Sequence, residues 1–343
     1  MPQRPFSIGG EEVAPGERRL VNLPLTALSN QTPMAVPVSV VHGRREGPTL
    51  FVSAAIHGDE LTGVAICRRL LGSNALKITR GTLLMVPIVN AFGFISHSRY
   101  LPDRRDLNRS FPGSGKGSLA AQLAHLFFSE IVGRSDYGID LHSAAIHRSN
   151  LPQIRVDSGD AAALELARAF GAPIIVHSSL REGSLRKTAQ EKGVPVIVYE
   201  AGEGLRADEL SVNVGMQGVL RVLSHLGMMR KLRERRPEPV LSTSSRWVRA
   251  DESGLFRAYR EIGDHVRTAD RIGLIADPYG EHESEVRASA TGIIIGRANI
   301  PAINQGDALF HIAKVENASE LGERYDELER QLVEPILDED EII

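Results

Sequence analysis

Between residues 49 and 222, short apolar runs rich in Val and Ile alternate with longer segments whose apolar residues recur every three or four positions. Few architectures accept that alternation. A strand covered by helices on both faces reads as a continuous apolar run, so the pattern predicts an α/β fold with a mixed, mostly parallel sheet flanked by helices. Strand-sized runs fall at 49–56, 82–89, 137–141, 173–176 and 194–199, and helical spacing at 61–71, 118–131, 161–170 and 212–226.

With 343 residues the chain exceeds what one core usually organises. The expected division is a catalytic domain over 1–228 with an N-terminal β extension, then a charged, proline-bearing linker over 229–240. A small all-β domain is expected over 241–315, where short runs such as RIGLIA, TGIIIG and ALFHIA are punctuated by glycine, and an acidic helical tail over 316–343. A formal charge of −3 offers no basic field for nucleic acid. The single cysteine, Cys67, excludes a disulfide framework and a cysteine metal cage. No run of about 20 apolar residues suits a membrane, and no signal-peptide core opens the chain, so the expectation is a cytoplasmic homo-oligomer acting on a small molecule.

In open α/β sheets ligands bind beyond the carboxyl ends of the strands. The first run leads into His57 of HGDE, the second into Asn90, the third into Asp140 and His142 of DLHS, and the fifth into Glu200 of YEAGE. His57 and Glu60 with His142 make two imidazoles and one carboxylate, the open three-ligand set of a catalytic Zn²⁺ site. A loop histidine satisfied by hydrogen bonds is the plainer account of an isolated His-x-x-Glu, and two strand ends converging argue against it. Asp140, two residues before His142, is placed to accept the second N–H of that imidazole, though a turn-capping aspartate fits equally well. Asp59 reads as an N-cap for the next helix. Glu200 follows VPVIVY and suits a proton carrier beside the metal. In the loop 106–113, DLNRSFPG, Asn108 and Arg109 adjoin further guanidinium groups at Arg99, Arg104 and Arg105, which suits an acidic substrate.

HGDE, NAFGF, SRY with DLNRSFPG, DLHS and YEAGE occur in an order that resembles the succinylglutamate desuccinylase and aspartoacylase family of zinc carboxypeptidase-like deacylases, over roughly 49–203. The resemblance implies one zinc on His57, Glu60 and His142, Glu200 as general base and acid, Asn108 and Arg109 on the substrate's α-carboxylate, and Arg99 polarising the scissile carbonyl. An insertion-like PDRR between Arg99 and Asn108 leaves Arg104 and Arg105 as competitors for that last role. The implied activity removes an acetyl or succinyl group from a small N-acyl amino acid. A metallocarboxypeptidase and a catalytically silent binding protein are the alternatives. The segment from 254 to 312 resembles biotinyl and lipoyl barrel-sandwich domains, but no lysine lies between Lys231 and Lys314 to carry a prosthetic group.

Overall fold

The computed structural model describes residues 3–232 and 238–315. The expected tail over 316–343 lies outside them, as does 233–237 of the expected linker.

A 13-stranded mixed sheet runs through the molecule. Its centre is parallel: Arg80–Val86, Arg45–Ala54, Tyr137–His142 and Val196–Glu203 lie side by side. The N-terminal strands Pro33–His42 and Arg18–Ala27 continue it antiparallel on one side. On the other, Arg148–Val156 pairs antiparallel with Val196–Glu203. Beyond it the C-terminal strands Gly292–Ala298, Ala308–Lys314 and Ser244–Arg249 extend the same sheet. A separate four-stranded sheet, Glu283–Arg287, Arg271–Ala276, Gly254–Ala258 and Ala302–Ile303, covers them.

Both faces of the central strands are apolar because successive side chains alternate between two cores. Leu50, Val52, Ile139, Leu141, Ile197 and Tyr199 pack under the helices Thr62–Gly72, Ala161–Phe170 and Glu209–His225. Phe51, Leu84 and Val196 face the other way, against Leu123 and Phe127 of the helix Leu119–Glu130. Phe51 and Phe127 meet edge to face at 5.8 Å, and each buried ring contributes about 1.5–3 kcal/mol. Ser118, Asp160 and Asp208 start three of these helices by accepting a backbone N–H three residues on.

The alternation explains where polar residues land. Asp140 and His142 are two apart on one strand, and Val198 and Glu200 on its parallel neighbour, in a register that sets Val198 opposite Asp140 and Glu200 opposite His142. One cavity is lined by all four. Asp59 corrects the expectation for the first turn: the N-cap position is Leu61, no side chain caps it, and among the described residues Oδ1 of the buried Asp59 carboxyl has no partner.

Candidate active site

His57 and Glu60 sit in the turn between Arg45–Ala54 and Thr62–Gly72, and His142 ends its strand. Their exposures are 4%, 3% and 3%, so all three functional groups are out of bulk water. Glu60 bridges the imidazoles, with Oε1 2.7 Å from His57 Nδ1 and Oε2 2.7 Å from His142 Nδ1. One ligand atom from each lies within 4.8 Å of the others.

The far nitrogens are held by carboxylates. His142 Nε2 lies 2.7 Å from Asp140 Oδ2, whose Oδ1 accepts from Ser53 Oγ at 2.8 Å. His57 Nε2 lies 3.2 Å from Asp106 Oδ1. Each ring is thereby fixed with Nδ1 turned to the common centre, the arrangement by which carboxylates orient metal-ligating histidines. Burial alone would depress the histidines; Glu60 with Asp106, and Asp140 with Glu60, outweigh it and raise His57 above, and His142 well above, the ordinary histidine range. Burial would raise Glu60, yet the two imidazoles hold its carboxyl far below the usual range. Two nitrogens and one ionised oxygen, buried and facing one another without thiolate, are a donor set that fits Zn²⁺ with a position left open.

Arg99 reaches into this cluster. Its Nη2 donates to Asp106 Oδ2 at 2.9 Å and its Nη1 lies 3.6 Å from Glu60 Oε1. Arg104 and Arg105 do not line the cavity, and Arg105 is turned to Asp103 at the surface. Asn108 and Arg109 both line it, on the 3₁₀ turn Leu107–Arg109 that Asp106 caps. The Asn108 side-chain oxygen accepts from Leu185 N at 2.9 Å, which pins the turn to the helix Leu185–Glu191. Asn90 lies elsewhere, capping Ala91–Ile95.

The cavity holds about 320 Å³. Glu200 borders it, with Oε2 accepting from Asn150 Nδ2 at 2.9 Å and Oε1 3.7 Å from Arg155 Nε. Arg148, Arg155, Arg181 and Arg186 add four guanidinium groups, and Trp247 of the C-terminal strands completes the wall, stacked on His311 with Arg148 over its ring. Asp106, Asn150 and this arginine group were not anticipated. Asp106 opens DLNRSFPG and carried a usable signal as the capping residue of that turn.

A model of the succinylglutamate desuccinylase/aspartoacylase catalytic domain matches residues 46–226. The N-alpha-acetyl-L-2,4-diaminobutyric acid deacetylase of Halomonas elongata is 31% identical over 294 residues, covering 82% of this chain and 86% of that protein. Among solved structures, a succinylglutamate desuccinylase/aspartoacylase from Rhodobacter sphaeroides is similar with TM-score 0.78 and 26% identity, over 87% of this chain and 96% of that one. The product-bound ectoine utilization protein EutE (DoeB) from Ruegeria pomeroyi is similar with TM-score 0.78 and 27% identity, over 87% and 94%.

Proposed function

Because the chain belongs to the succinylglutamate desuccinylase/aspartoacylase family, we propose that it is a zinc-dependent amidohydrolase that removes the acyl group of a small N-acyl amino acid. The observation that carries this reading is the convergence of His57, Glu60 and His142 with Glu200 in one small cavity. Zinc on those three ligands would supply Lewis acidity, polarising an acyl carbonyl and letting water lose a proton near neutral pH. Glu200 takes that proton on its carboxylate and returns it to the departing nitrogen, which is a poor leaving group until protonated. Arg99, a fixed cation held by Asp106, offers N–H donors to the oxyanion. Asp140 and Asp106 keep the imidazoles in the ligating orientation. Asn108 and Arg109 receive the α-carboxylate, and Arg109→Lys is expected to lower kcat/KM about 10-fold to 100-fold because an ammonium cannot reproduce the bidentate fork. Equal losses on amide-capped analogues would count against that role. We propose the C-terminal β strands as a wall of this site, carrying no prosthetic group.

A cavity of about 320 Å³ lies at the small end of ligand pockets, which favours an N-acyl amino acid over a peptide. Its lining charges favour an acidic one. Six arginines face three acids, and Glu60 and Asp140 are already engaged by histidines. Arg186 is held at about 10 by burial and the nearby Arg155 guanidinium, and among the described residues its Nη1 has no partner. A second substrate carboxylate would satisfy that charge, whereas the side-chain ammonium of diaminobutyrate would be repelled. The test is turnover of N-acetylaspartate, N-succinylglutamate, N-α-acetyldiaminobutyrate and short peptides by the purified protein. N-acetylaspartate and N-succinylglutamate, with two and three carboxylates, are expected to lead by about 10-fold or more in kcat/KM, the worth of one charged hydrogen bond. Faster turnover of N-α-acetyldiaminobutyrate would reject the acidic preference, and faster turnover of peptides would reject the deacylase reading.

A further inference from the structure

Glu200 is held from outside its own strand. Asn150, 7% exposed, belongs to the antiparallel neighbour Arg148–Val156, and its Nδ2 donates to Glu200 Oε2 at 2.9 Å. The residue paired with Asn150 is a glycine on both sides, Gly202 on the Glu200 strand and Gly296 on the C-terminal strand Gly292–Ala298. The register with Glu200 shifts between Glu200 and Gly202, whose φ of 73° is the left-handed conformation glycine accepts without strain, and such a bulge re-aims the side chains beside it. On the other side, a Cβ at Gly296 would lie 2.9 Å from Asn150 Oδ1, 3.3 Å from His311 Cβ and 3.4 Å from Ser149 O. Two of those three neighbours are main-chain or first-carbon atoms with little freedom to yield. The amide therefore occupies a slot that a side chain at 296 would close.

We infer that Asn150 is a positioning residue for Glu200, and that the C-terminal strand keeps it in place through the bare backbone of Gly296. The inference rests on the reading of Glu200 as the proton carrier. With Oε2 occupied by the amide N–H, Oε1 is the oxygen left to take and return the proton, and proton transfer requires it within hydrogen-bond reach of its partner in one orientation. The C-terminal strands thus act on the chemistry through one intervening side chain as well as by walling the cavity.

The experiment is a mutant cycle on zinc-loaded full-length protein with the best substrate of the panel, together with crystal structures of wild type, Asn150→Ala and Gly296→Ala. Asn150→Ala is expected to lower kcat about 10-fold to 100-fold, the worth of a hydrogen bond to a charged group, with KM and bound zinc nearly unchanged. In a Glu200→Gln background the same change should cost less than about 3-fold, because residues acting as a unit are not additive. Gly296→Ala should reproduce the Asn150→Ala loss and add little to it. In the crystals the Glu200 carboxylate should turn in Asn150→Ala, a readout that needs no substrate and survives even where Gly296→Ala fails to fold. An unmoved carboxylate, or a kcat loss that multiplies fully with Glu200→Gln, overturns the inference. A Glu200→Gln enzyme near wild-type rate overturns instead the reading on which it rests.

Discussion

Replacing Glu200 with glutamine is expected to lower kcat by about 100-fold to 10,000-fold, the usual contribution of a positioned proton carrier, while KM and metal content stay within a small factor. Glutamine keeps the size of the side chain and can still meet Asn150, so the substitution removes proton transfer and little else. The neighbourhood makes the prediction specific: Glu200 stands opposite His142 in the sheet register, within ion-pair distance of Arg155 and against the cavity wall. A residue serving only as a rim salt bridge would contribute about 0–1 kcal/mol to stability and almost nothing to rate. Rate measurements across the substrate panel, with zinc quantified in the same samples, separate the two accounts.

The positions that can be read from the sequence are those at which a strand ends. His57, Asp140, His142 and Glu200 each close an apolar run, and an α/β sheet collects such ends on one side, so their convergence follows from the pattern alone. Asp106 and Asn150 were hidden for different reasons. Asp106 lies in an irregular loop where no periodicity reports direction, and it meets His57 only because the loop folds back over the first turn. Asn150 lies on Arg148–Val156, a strand whose polar residues and proline hid it among the apolar runs, and which is one of the antiparallel members of the mixed sheet. The union of the C-terminal strands with the catalytic sheet was equally illegible, since the pairing of Gly296 with Asn150 joins residues far apart in the chain. The Asp59 expectation failed because a carboxylate before a helix is only a candidate cap, and here the helix begins at Thr62 with Leu61 in the N-cap position, two residues beyond Asp59.

Replacing His142 with alanine is expected to have the largest effect on the metal. Glu60 then loses one of its two imidazole partners, Asp140 faces an empty space, and two of three ligands remain. Loss of an outer carboxylate partner typically weakens metal affinity about 10-fold to 100-fold, which is the expectation for Asp140→Ala; loss of a direct ligand should exceed it and leave the protein without stoichiometric zinc after dialysis. The fold should survive in both, because the sheet and its two cores are built from apolar residues on either side of the site.

Hydrolysis is proposed to depend on one zinc site, formed by His57, Glu60 and His142. The most direct test is elemental analysis of the wild-type protein alongside amine release from the best N-acyl substrate, before chelation, after chelation and after zinc is restored. About one zinc per chain is expected, with activity lost with the metal and regained with it, and neither binding nor recovery in His142→Ala. A stripped wild-type protein that hydrolyses its substrate at the undiminished rate, or a His142→Ala protein that keeps zinc with wild-type affinity, would contradict that dependence.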